Sequence, residues 1–157
     1  MTTRRQIIGC GNLNRGDDAA GPLVVRRLRE LGIPAEEESG EALSLIESWK
    51  DSEEVILIDA VVTRAKPGTI NFWDAENAGI LPANVAKNTS SHGFGVSQAI
   101  ELARSLDRLP PKLLIYGIEG SRFGVGAPPS PSVVAAVETL AQQIAIEWNS
   151  KRRRDAA

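Results

Sequence analysis

The chain has 157 residues, 42% of them hydrophobic, which suits one well-filled core better than two domains. Eighteen basic and 20 acidic residues leave a net charge of −2, which excludes a general attraction to nucleic acid or to an anionic membrane. A single cysteine, Cys10, excludes an internal disulfide and a thiolate metal cluster, as expected of a cytoplasmic protein. No uninterrupted apolar stretch reaches about eighteen residues, so we expect no membrane span.

The first half of the sequence predicts three strands separated by two helices. The clearest strand is the continuously apolar run Val55-Ile56-Leu57-Ile58, which is typical of a strand buried on both faces of a sheet and which stops at Asp59. Apolar residues at helical spacing predict the helices. In chain order these elements cover residues 6–10 (strand), 19–31 (helix), 35–39 (strand), 41–49 (helix) and 55–58 (strand).

The second half predicts two more strands and two more helices. Lys66-Pro67-Gly68 turns the chain into the first of these strands, and a Gly- and Pro-rich loop over residues 120–131 precedes the last helix. In chain order the elements are a partly exposed strand at 69–73, a helix from about 91 to 106, a buried strand at 113–118 and a helix at 132–149.

Strands that alternate with helices predict a three-layer α/β/α sandwich around a twisted, mostly parallel sheet. We expect a single domain over residues 1–150 and a basic, frayed tail over residues 151–157. Functional loops in such folds lie at the carboxyl ends of the strands. The polar residues that follow strands are therefore the first candidates for chemistry.

Four such residues are predicted to meet at one edge of the sheet. Asp17 and Asp18 follow the first strand, Asp59 ends the third, and His92, the only histidine, begins a helix at the same edge. A histidine with oxygen donors suits a borderline divalent metal such as nickel, zinc or manganese. Three protein ligands leave coordination positions open, as a catalytic or transiently gripping site requires.

Each of these residues also has a simpler interpretation. An aspartate at a strand end or before a helix is more often a turn or capping residue than a ligand. Ser90 or Ser91 can cap a helix without any chemistry at His92. Cys10, inside an apolar strand, is most simply a core residue.

A nucleotide site is disfavoured. Gly9 and Gly11 begin a dinucleotide-binding fingerprint, but its third glycine would be residue 14, which is asparagine. Asp17 and Asp18 would also repel a pyrophosphate at the start of the first helix. We therefore interpret the two glycines as tight-turn residues.

The sequence resembles the hydrogenase maturation proteases in four blocks. The opening block runs from Ile8-Gly9-Cys10-Gly11-Asn12 through Gly16-Asp17-Asp18-Ala19-Ala20-Gly21. The others, in matching order and spacing, are Ile56-Leu57-Ile58-Asp59-Ala60-Val61 with Pro67-Gly68-Thr69, Ser91-His92-Gly93-Phe94-Gly95, and Tyr116-Gly117-Ile118-Glu119. The resemblance extends over nearly the whole chain, to about Trp148.

This resemblance implies a fold and an activity. The fold is a phosphorylase/hydrolase-like sandwich whose five-stranded mixed sheet has one antiparallel strand. The activity is removal of a C-terminal extension from the large-subunit precursor of a nickel-iron hydrogenase after nickel insertion. Positions that match the metal-contacting and catalytic residues of the family are Asp18, Asp59 and His92.

The resemblance also implies the partners. The precursor brings the nickel, no tightly bound organic cofactor is expected, and the partner is the precursor's C-terminal region rather than nucleic acid or membrane. We expect a cytoplasmic monomer. After the second strand many relatives carry Asp-Gly-Gly where this chain has Glu38-Ser39-Gly40, so the particular hydrogenase stays open.

The catalytic base is also open at this point. A metal can polarise the scissile carbonyl or activate water, with Asp17 or one of the ligating carboxylates as general base. A serine or cysteine nucleophile would need a histidine as its general base, and the only histidine, His92, is assigned to the metal. The alternative function is a nickel-dependent assembly checkpoint, or chaperone, that binds the precursor and cuts nothing.

Overall fold

A computed structural model describes residues 4–75 and 96–156 of the chain. In this part a five-stranded sheet has the order β2-β1-β3-β5-β4. Neighbouring strands are parallel except β4, which pairs antiparallel with β5. The strands are β1 (Arg5–Cys10), β2 (Glu36–Glu38), β3 (Glu54–Val61), β4 (Ile70–Asp74) and β5 (Lys112–Glu119). The predicted mixed sheet with one antiparallel strand is confirmed.

Helices cover both faces of this sheet. Helices α1 (Ala20–Glu30) and α4 (Pro131–Ala156) pack on one face, and α2 (Ala42–Ser48) and α3 (Val96–Ser105) pack on the other. Each face has its own apolar core, since alternate strand residues point to opposite sides. No helix within the described residues is both long enough and apolar enough to cross a membrane.

Strand β3 is longer than the sequence predicted. It continues through Asp59 to Val61, because β5 supplies pairing partners as far as Glu119. Asp59 pairs with Gly117 and is therefore a residue of the central strand rather than its cap. The predicted end of the strand at residue 58 was wrong: a charged residue ends an apolar run in sequence without ending the ladder of hydrogen bonds.

The predicted end of the last helix was also wrong. Helix α4 continues to Ala156, seven residues beyond the predicted end at Asn149. Lys151 forms an ion pair with Glu54, whose side chain is buried at the start of β3. Trp148 lies one helical turn before Lys151, and the guanidinium of Arg5 in β1 is 3.8 Å from its ring centroid. These contacts attach the helix to the sheet as far as Lys151, and residues 152–156 are exposed.

Removing the Lys151 ammonium is expected to destabilise the protein. A Lys151→Ala variant leaves the Glu54 carboxylate buried without its cation, and we expect a loss of about 1–3 kcal/mol in the free energy of unfolding. Urea denaturation followed by circular dichroism measures it. The exposed Arg153, in the same helix, gives the matched control, and equal losses for Lys151→Ala and Arg153→Ala would contradict the assignment.

Candidate active site

Two glycines bring the start of α1 onto the ends of the strands. A Cβ on Gly9 would lie 2.3 Å from the Gly21 carbonyl oxygen, and one on Gly21 would lie 2.3 Å from the Cys10 carbonyl oxygen. Gly21 is similarly close to the carbonyl oxygen of Ile58 in β3. Because both positions lack side chains, the helix start lies directly over β1 and β3.

A 3-10 turn, Gly16–Ala19, precedes α1 and carries both acids of the opening motif. The Asp18 backbone is held at both ends: its N–H donates to the Arg15 carbonyl (3.0 Å), and its carbonyl accepts from the Asn12 N–H (3.1 Å). Only 4% of Asp18 is exposed. The sequence predicted a loop followed by a helix here, and the structure shows a short, tightly bonded turn between them.

Asp18 and Asp59 are brought close enough to interact electrostatically. Asp59 is 9% exposed, and its Oδ1 accepts a hydrogen bond from the Ala60 N–H at 2.9 Å. Burial, and then the charge of Asp18, raise the pKa of Asp59 well above its usual range, while the Ala60 hydrogen bond opposes the rise. The predicted approach of these two acids is therefore present in the structure.

Cys10 lies beside the same acids but is a core residue. It is 1% exposed and packs in the apolar core between the sheet and helices α2 and α3. Burial, followed by the charges of Asp59, Glu38 and Asp18, raises the pKa of the Cys10 thiol well above its usual range. A buried, protonated thiol is a poor nucleophile, in agreement with the simple interpretation of this residue.

Asp17, in contrast, is engaged with another loop. It is completely buried, and its carboxylate accepts hydrogen bonds from the N–H groups of Ser121 (2.8 Å), Arg122 (3.0 Å) and Ser130 (2.6 Å) and from the Ser130 hydroxyl (2.9 Å). Burial raises its pKa, but these four bonds outweigh burial and leave the pKa of Asp17 below its usual value. Its catalytic role as a general base stays a prediction.

A further buried carboxylate lies at this edge and was not predicted from the sequence. Glu119, at the end of β5, is 1% exposed and accepts hydrogen bonds from the N–H and the hydroxyl of Thr63. It thereby fixes the connection from β3 to β4. An acid at the end of an otherwise apolar strand was the available signal, but its partner is 56 residues away in sequence.

His92 lies outside the described residues, as does the predicted helix start at Ser91-His92-Gly93. Within residues 4–75 and 96–156, no three metal-binding side chains converge. Asp18 and Asp59 alone supply two carboxylates, which are suitable ligands for a divalent cation. The metal site formed by Asp18, Asp59 and His92 therefore remains a prediction.

Clefts occur at both edges of the sheet. Beside Asp18 is a polar cleft of about 280 Å³, lined in part by Asn12, Asn14, Glu37 and Ser39. A larger cleft of about 480 Å³ lies at the opposite edge, next to Trp49 and the Pro110-Pro111 segment that leads into β5. Since the larger cleft is far from the paired acids, the smaller one is the relevant cleft for the candidate site.

Fold and site together define an α/β protein with an acidic site on the carboxyl edge of a mixed five-stranded sheet. Comparison with known proteins identifies the family. The sequence profile of the HycI family, hydrogenase maturation protease, matches residues 39–147. This chain belongs to that family, and its class of activity is that of a peptidase.

Individual relatives agree with this assignment. A Methanocaldococcus jannaschii protein whose name places it among the hydrogenase maturation proteases is 30% identical over 128 residues, covering 74% of this chain and 76% of its own. The hydrogenase 2 maturation protease of Escherichia coli is 24% identical over 144 residues, 88% of this chain and 86% of its own.

Solved structures are similar to this fold over almost its whole length. The NiFe hydrogenase maturation protease HybD from Thermococcus kodakarensis has a TM-score of 0.73 and 27% identity, over 93% of this chain and 99% of its own. The resemblance deduced from the four sequence blocks is thereby confirmed.

Proposed function

We propose that this protein is an endopeptidase that removes the C-terminal extension of a nickel-iron hydrogenase large-subunit precursor once nickel has been inserted. The nickel is part of the substrate, and Asp18, Asp59 and His92 bind it while the protease acts as a monomer. The observation that carries the proposal is the pair of buried acids, Asp18 and Asp59, at the carboxyl edge of the sheet in a member of this protease family.

Two buried carboxylates close together favour the binding of a cation. Burial and the neighbouring charge of Asp18 disfavour ionisation of Asp59, so an incoming divalent ion relieves an energetic cost that the free protein bears. A precursor without nickel offers no such compensation. Binding therefore discriminates between loaded and unloaded precursor before any bond is cut.

Hydrolysis needs a group that accepts a proton from the attacking water. One of the ligating carboxylates, Asp18 or Asp59, is our candidate for this group. Asp17 is a weaker candidate, because its lone pairs are occupied by four hydrogen bonds and its pKa is lowered. The bound nickel supplies positive charge beside the scissile bond.

The polar cleft beside Asp18 offers a place for the substrate chain. Its amide and hydroxyl side chains, Asn12, Asn14 and Ser39, present donors and acceptors for a peptide backbone. Asp18 itself lines the cleft, so a peptide lying in it would be next to the proposed nickel site. This arrangement couples nickel recognition to alignment of the bond to be cut.

Mass spectrometry of the precursor's C-terminus tests the function. Nickel-loaded precursor incubated with the wild-type protein is expected to lose its extension, whereas nickel-free precursor stays intact. His92→Ala is expected to abolish processing with the fold retained, because it removes one of three nickel ligands. The matched control is Asp51→Asn, an exposed residue outside the site, which should process normally. Normal processing by His92→Ala would refute the assignment.

The alternative function, a checkpoint that binds the precursor without cutting it, gives a different result in the same assay. The precursor would keep its full mass while co-eluting with this protein on size exclusion. A nucleotide-binding module would instead show thermal stabilisation by nucleotides, and we expect none.

A further inference from the structure

The segment over residues 120–130 is bonded to the turn that carries the paired motif acids. Besides the four hydrogen bonds to the Asp17 carboxylate, the Asp17 N–H donates to the Arg122 carbonyl at 2.7 Å. The Gly16 N–H donates to the Ala127 carbonyl at 3.0 Å. The loop after β5 and the loop after β1 therefore form one bonded unit, which we call the Asp17 clamp.

Close packing reinforces the clamp. Gly16 has φ +55°, and a Cβ there would lie 2.3 Å from the Arg122 carbonyl oxygen. A Cβ on Gly120 would lie 2.8 Å from the Asp17 Cβ. Two glycines thus allow the loops to approach more closely than side chains would permit. The clamp has little room to shift.

Asp18 is the next residue along this turn. With Asp17 fixed, Asp18 can turn only about the single bonds on either side of the peptide plane that joins them, and hydrogen bonds from its own N–H and to its own carbonyl oppose such a turn. Asp18 is also held near Asp59, and the negative charges of the two carboxylates repel each other. A fixed Asp17 next to Asp18 helps to keep the two carboxylates at one ligand position despite this repulsion.

We propose that Asp17 is a positioning residue: by clamping the 120–130 segment to the Gly16–Ala19 turn, it holds the Asp18 carboxylate toward Asp59. This inference rests on the proposed function, in which Asp18 binds the nickel of the precursor. It assigns Asp17 no contact with substrate. The two adjacent acids of the motif then have separate tasks, one structural and one in binding.

The test compares Asp17→Asn with Glu119→Gln in steady-state processing of nickel-loaded precursor. Glu119 is the matched control: it is an equally buried carboxylate at the same edge that also accepts backbone and hydroxyl hydrogen bonds, but from Thr63. Both variants are assayed at a temperature at which circular dichroism shows them folded. For Asp17→Asn we expect a roughly tenfold or larger rise in KM relative to Glu119→Gln, since displaced ligands bind nickel poorly.

Ser130→Ala gives a second, milder variant in case Asp17→Asn does not fold. It removes one of the four bonds to the carboxylate and should raise KM in the same direction by a smaller factor. Amide hydrogen exchange at Ser121 and Arg122 should be faster in both variants and unchanged in Glu119→Gln. KM values for Asp17→Asn and Ser130→Ala equal to that of Glu119→Gln would overturn the positioning role.

Asp18→Asn separates the two hypotheses. If Asp18→Asn processes the precursor normally, the proposed function fails. If Asp18→Asn is inactive while Asp17→Asn and Ser130→Ala match Glu119→Gln, the nickel-binding function stands and only the clamp hypothesis fails.

Discussion

An Asp59→Asn variant is expected to be more stable than the wild-type protein and to lose precursor processing. Asparagine has nearly the same shape, and its carbonyl oxygen can keep the hydrogen bond from the Ala60 N–H. It carries no charge to desolvate or to be repelled by Asp18. We expect a gain of about 1 kcal/mol in the free energy of unfolding and a loss of processing of about 10³-fold or more.

The pH dependence of this gain has a definite sign. The pKa of Asp59 is raised in the folded protein. Above the ordinary aspartate pKa of about 3.9, the Asp59 carboxyl group therefore ionises in the unfolded chain but stays protonated in the folded one, and this difference favours unfolding. The resulting loss of stability is absent below pH ~3.9, grows as the pH rises toward the raised pKa of the folded protein, and is constant above that raised pKa. The stability difference between Asp59→Asn and the wild type should therefore be largest near neutral pH and vanish in acid.

Urea denaturation at several pH values, together with the mass-spectrometric assay, measures both effects. Asp51→Asn is again the control, as an exposed aspartate whose replacement should change neither stability nor processing. A destabilised Asp59→Asn variant at neutral pH would show that the Asp59 charge is compensated in the free protein. Retained processing would remove Asp59 from the site.

A Gly21→Ala substitution should destabilise the protein severely. The added Cβ would lie 2.3 Å from the Cys10 carbonyl oxygen and 2.7 Å from that of Ile58. Both neighbours are backbone atoms of central strands, so relief requires α1 to move off the sheet. We expect a loss of about 3 kcal/mol or more, despite the better helix propensity of alanine.

Thermal and urea denaturation by circular dichroism measure this loss. Gly124→Ala is the matched control, since a Cβ there would meet only the Ala127 Cβ at an ordinary 3.9 Å. If Gly21→Ala remains as stable as Gly124→Ala, α1 does not lie as close to the strands as the structure indicates. A folded Gly21→Ala variant should also process poorly, because α1 and the turn carrying Asp18 move together.

The sequence alone was sufficient to predict the order of the described elements and the family. Apolar periodicity is local information, and residues 6–10, 113–118 and the helices showed it clearly. Motif spacing also placed Asp18 and Asp59 at one edge, because parallel strands present their carboxyl ends together. The elements and the shared edge needed only residues near one another in the chain or a rule common to all such folds, whereas the family was recognised by the resemblance of four blocks spread over nearly the whole chain.

Only the tertiary structure decided what the buried charges do. Asp17 meets Ser121 and Ser130 across 104 and 113 residues, and Lys151 meets Glu54 across 97. Periodicity carries no information about such pairs, since each depends on how two distant loops or ends pack. For the same reason, β3 continues through Asp59: its end is set by the length of β5 beside it, not by its own residues.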